Sequence, residues 1–85
     1  MHYVYIIGSL SFPEKVYVGH TSNLKRRIAD HNYGNTSHTR KYVPWKLLVY
    51  LGFDDKAKAL DFEKYLKSGS GRAFRNKRFI ITWKC

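Results

Sequence analysis

Tyr17-Val18-Gly19-His20-Thr21-Ser22-Asn23-Leu24-Lys25-Arg26-Arg27-Ile28-Ala29-Asp30-His31 changes its period in the middle, and that change decides the fold. Up to Gly19 the residues are β-branched or aromatic, the composition of a half-buried strand. Thr21, Ser22 and Asn23 can each cap a helix. Beyond them Leu24 and Ile28 stand four apart, with neither Gly nor Pro before His31. A strand therefore runs straight into a helix.

Working upstream, His2 to Ile7 repeats the strand composition and stops at Gly8. Ser9 to Pro13 carries turn chemistry before the pattern resumes at Lys15, which makes a hairpin. Downstream, Tyr33 to Pro44 mixes Gly34, Asn35, Thr36 and Ser37 with Arg40 and Lys41, and reads as an exposed loop with little room for packing. Trp45 to Leu51 is a third strand. Asp54 and Asp55 offer a cap to a helix through about Lys67, with Ala59, Phe62 and Leu66 as its apolar stripe. Gly69-Ser70-Gly71 is expected to end that helix, and a shorter one to follow from about Arg72 to Arg78. Phe79 to Trp83 fits strand or helix. The order β-β-α-β-α-α predicts an α+β fold, a three-stranded, mostly antiparallel sheet flanked by helices, as one domain over residues 1–85.

Sixteen Lys and Arg against six Asp and Glu leave a net charge of +10, spread from Lys15 to Lys84 and not gathered in a tail. Such a field attracts polyanions, with phosphate the first target and an anionic membrane surface the second. The one cysteine, Cys85, cannot form an internal disulfide, and the sequence has no run of about 18 apolar residues. The cytoplasm is the expected compartment. His2, His20, His31 and His38 follow no zinc spacing, and Gly69-Ser70-Gly71 is too short for a phosphate-cradling loop.

Three features carry possible chemistry. Tyr3, Tyr5 and Tyr17 crowd the hairpin, either as packing or as a cluster of phenols. Arg27 falls beside the seam of Leu24, Ile28 and His31, where a permanent charge needs a protein carboxylate or a bound phosphate. Glu63 lies at the edge of the stripe on the later helix, with Asp61 opposite; it suits a salt bridge and a hard-metal site equally well. Lys25 and Arg26 read as a solvated face.

These residues resemble the GIY-YIG endonuclease family, which includes the N-terminal catalytic domain of a component of the bacterial excinuclease ABC. Tyr3-Val4-Tyr5 resembles the first motif and Tyr17-Val18-Gly19 the second, although Tyr3 stands where the motif name has glycine. Tyr17 to His31 resembles the strand-to-helix signature, Ala59 to Lys67 the helix with the metal-binding glutamate, and Lys67 to Phe74 the close of small members.

The resemblance implies Tyr17 as general base, Tyr5 as the group positioning water, Arg27 as phosphate clamp and Glu63 as ligand to Mg²⁺ or Mn²⁺. His20 and His31 match positions where members carry Lys or His and Tyr, and Asn76 matches a family asparagine. The implied reaction is hydrolysis of DNA, branched, nicked or flapped, with Arg40, Lys41, Arg72 and Arg75 holding the backbone. A free phenol is only about one part in a thousand ionised at neutral pH, so a tyrosine base needs cations beside it. The alternative is a binding module for DNA or structured RNA on the same scaffold.

Overall fold

The computed structural model describes residues 1–77, and the sequence reading of Phe79 to Trp83 lies outside them. Three antiparallel strands, β1 (His2–Ser9), β2 (Val16–Thr21) and β3 (Trp45–Phe53), form a sheet in the order β2-β1-β3. Among the described residues both edges of the sheet are open, one along β2 and one along β3. The helices are α1 (Leu24–Asn32), α2 (Lys56–Lys67) and α3 (Gly69–Arg75).

Alternation along β1 sends its side chains to two faces. Val4 and Ile6, with Val18, pack against Ala59 and Leu66 of α2; Tyr5 and Ile7 join Trp45, with Leu24 and Ile28 of α1 against them. The sheet is thus sandwiched between α1 and α2. Each helix starts where a side chain satisfies a free backbone N–H. Of the three capping residues before α1 it is Asn23 that accepts from the Arg26 N–H at 3.1 Å, and Asp55 accepts from the Ala57 N–H at 3.1 Å.

Two expectations are corrected. The stretch from Tyr33 to Pro44 is more than an exposed loop: Thr39 is buried at 1% exposure, and Arg40–Tyr42 form a 3-10 turn. The Trp45 indole N–H donates to the Thr39 carbonyl at 2.9 Å, and the Asn32 carboxamide accepts from the Trp45 N–H at 2.5 Å, so α1 and the loop are tied to the start of β3.

Gly69-Ser70-Gly71 does not end a helix but opens one. Ser68 closes α2, and its hydroxyl accepts from the Gly71 N–H at 3.2 Å to begin α3. A Cβ on Gly71 would collide with the Tyr65 carbonyl, so the small residue permits the sharp turn between helices.

Candidate active site

The edge strand β2 supplies the site from both sides. Tyr17 and Gly19 share the α1 face with Tyr5, whereas His20 points to α2. Gly19 pairs with Tyr5 across the ladder, and a Cβ there would lie 2.5 Å from the Tyr5 hydroxyl and 3.0 Å from the Tyr17 ring. The glycine leaves room for the two phenols, whose ring centroids are 6.5 Å apart.

Tyr5 is fully buried, and its hydroxyl lies 2.8 Å from Nε2 of His31, which is also fully buried. Nδ1 of His31 is 2.8 Å from the Thr39 hydroxyl, so the imidazole is held at both nitrogens. The ring also lies edge-on to Tyr17, centroids 5.2 Å apart.

Burial pushes the Tyr5 phenol up to about 12; the Tyr17 side chain and, less strongly, Glu63 add to this, and the nearby Arg27 guanidinium opposes it. Burial first, and Arg27 second, lower the His31 pKa. The structure therefore holds a neutral phenol against a neutral imidazole at neutral pH.

Glu63 approaches from α2. One carboxylate oxygen lies 2.8 Å from Nδ1 of His20 and the other 3.1 Å from Nζ of Lys67. The Lys67 ammonium also sits 5.8 Å from the centre of the Tyr17 ring, which places it between carboxylate and phenol. Of the two sequence readings of Glu63 the salt bridge is the one present, and it lies within the cluster.

A divalent cation fits this carboxylate. Glu63 is mostly buried, and the cation on one of its oxygens is the ammonium of a half-exposed lysine, Lys67, so the carboxylate already faces positive charge. Among the described residues no group of three acidic, His or Cys side chains converges. A lone carboxylate suits a hard cation that completes its shell with water.

Arg27 is exposed, and among the described residues no carboxylate pairs with it. It lines a cleft of about 220 Å³ with His2, His20, Thr21, Ser22 and Lys56, at the end of β2. Of the two partners the sequence reading allowed, the anion from outside fits this setting.

The remaining residues named from sequence stand apart from the cluster. Arg40 and Lys41 are exposed on the turn beside Thr39. Arg72 and Arg75 belong to α3, which packs on α2 through Tyr65 and Phe74, and Asn76 caps its C-terminus. Arg75 is half-buried, and its Nε has no hydrogen-bond partner among the described residues. Sequence reasoning missed Thr39 and Lys67. For Lys67 the i,i+4 spacing from Glu63 was a usable signal; for Thr39 there was none.

Residues 1–78 match the model of the GIY-YIG catalytic domain. A UPF0213 protein of Natronomonas pharaonis is 37% identical over 68 residues, 79% of this chain and 78% of that protein. A homologue of the structure-specific endonuclease subunit SLX1 from Giardia intestinalis is 37% identical over 65 residues, 72% of this chain but 18% of that protein. The solution structure of a UPF0213 protein from Bacillus halodurans superposes with a TM-score of 0.54 at 32% identity, covering 88% of this chain and 79% of the other. With its motifs, sheet order and flanking helices all matched, the chain belongs to the GIY-YIG family.

Proposed function

We propose that the protein is a nuclease that hydrolyses DNA phosphodiesters with a divalent metal, Mg²⁺ or Mn²⁺, held by Glu63. The observation that carries this reading is the meeting around the β2 edge of two phenols, the Glu63 carboxylate and, beside them, the exposed Arg27 guanidinium.

Tyr17, the less buried phenol, takes the proton from the attacking water. Tyr5 stays protonated and orients that water through its hydroxyl, with His31 fixing the phenol in turn. Arg27 bonds the phosphoryl oxygens as charge builds on them. His20 holds the Glu63 carboxylate in position. A cation held by Glu63 would supply positive charge to stabilise the leaving group. Arg40, Lys41, Arg72 and Arg75, with the neutral Asn76 beside the last, hold the backbone away from the cluster without reading of bases. The name of the Giardia relative, a structure-specific endonuclease subunit, supports a substrate chosen by its structure, a branched DNA.

The test is nicking of supercoiled plasmid with Mg²⁺, using Tyr17→Phe, Glu63→Ala and a mock purification as controls. Cutting should fall at least a hundredfold in both variants and stop on chelation, while DNA binding persists. Equal cutting by the variants, or binding by wild type without any cutting, would overturn the reading and leave a cationic binding module.

A further inference from the structure

On the α1 face a groove of about 600 Å³ runs between α1 and the outer strand β3. That volume lies within the roughly 300–1,000 Å³ of small-ligand clefts. Its walls are Tyr3, Tyr50, Leu24, Ile28 and Leu47, and Lys25 stands at its rim. The Tyr3 and Tyr50 rings meet edge to face at 5.9 Å, and Tyr50 remains 53% exposed. A chain carrying +10 would gain nothing for solubility from an open phenol ring on a strand edge.

The groove is a neighbour of the basic cleft. Ser22 lines both, which sets the aromatic walls beside the cleft of Arg27 and His20. A nucleic-acid strand has the matching alternation, an anionic backbone beside flat apolar rings. Bases in a duplex have both faces stacked, whereas an unpaired base has a face to offer. Asn23 adds a polar edge: its carboxamide oxygen is taken by the Arg26 N–H, which leaves the amide nitrogen as a donor for a base carbonyl.

We infer that this groove takes one unpaired nucleobase of the strand whose backbone lies in the basic cleft, with Tyr50 as the stacking platform. The inference rests on the nuclease reading and narrows its substrate to DNA with single-stranded character at the cut. Lys25, a solvated residue by sequence, becomes the cation next to that base.

The experiment is fluorescence anisotropy in the presence of chelator, so that nothing is cut. A short oligothymidylate, a duplex of equal length and an abasic oligonucleotide of equal charge are titrated with wild type, Tyr50→Ala and Tyr50→Trp. Tyr50→Ala should weaken oligothymidylate binding about tenfold and leave the duplex and abasic ligands unchanged, and Tyr50→Trp should restore it. Unchanged oligothymidylate affinity, or an equal loss on all three ligands, overturns the inference. So does a change in oligomeric state without a change in affinity, which would make the groove a contact between copies. Loss of base selectivity with Glu63-dependent cutting intact removes the groove alone; base selectivity without Glu63-dependent cutting removes the nuclease reading alone.

Discussion

The Tyr5 hydroxyl and His31 Nε2 face each other at 2.8 Å, both side chains fully buried, one from the central strand and one from the last turn of α1. Neither can lose its partner cheaply, because a buried polar group left unpaired costs about 1–3 kcal/mol. Tyr5→Phe should therefore lower stability by about that amount as well as slow cutting. Thermal unfolding beside the nicking rate measures both, and an unchanged melting temperature would show that water takes the place of the lost hydroxyl.

The same pair couples stability to pH. Tyr5 binds its proton more tightly when folded, so its contribution is complete below about pH 10 and is lost as pH rises towards 12. His31 is the reverse case. Its folded pKa is depressed, so its contribution is present above the ordinary histidine range near 6.5 and falls away as pH drops below it. Melting temperature should decline from pH 7 to 5, and His31→Gln should flatten that decline; an equally steep decline in the variant would place the acid sensitivity elsewhere.

Gly19→Ala tests the crowding of the phenols. The new methyl would press on the Tyr5 hydroxyl and the Tyr17 ring at once, and a shift of about 1 Å at reacting groups can cost on the order of a hundredfold in rate. Cutting should fall by that order while far-ultraviolet circular dichroism stays native.

Lys67→Ala frees one oxygen of Glu63. A half-exposed ion pair contributes at most about 1 kcal/mol, so stability should hardly move. Mn²⁺ binding, followed by calorimetry, should tighten several-fold once the competing ammonium is gone; weaker binding would mean that Lys67 shapes the site and does not merely fill it.

Thr39→Val removes the hydroxyl next to Nδ1 of His31 and keeps the shape. A loss of about 1–3 kcal/mol is expected, together with slower cutting, because the imidazole can then rotate away from Tyr5. Full activity would reduce Thr39 to a packing residue.

Much of this was legible from local pattern. The capping residues Thr21 to Asn23 located the turn into α1, although β2 runs two residues past the expected end at Gly19, and the stripe of Ala59, Phe62 and Leu66 put Glu63 at a margin of α2. What stayed hidden depends on contacts between distant residues. Thr39 looked like one more polar loop residue because its partners, His31 and Trp45, are met only when the loop folds back. Gly69 and Gly71 looked like a helix stop because close approach to the Tyr65 carbonyl leaves no trace in composition. Arg27 was an oddity in sequence, and its exposure made sense of it.

Tyr17 and His20 leave the outermost strand in opposite directions, three residues apart. The phenols and the carboxylate thus belong to different layers and are joined by a ribbon one chain thick. Inserting a single residue between Tyr17 and His20 would send one of them to the wrong side while the sheet still formed. The spacing from the second tyrosine to this histidine is fixed by parity, and so is the distance over which the two halves can be re-engineered independently.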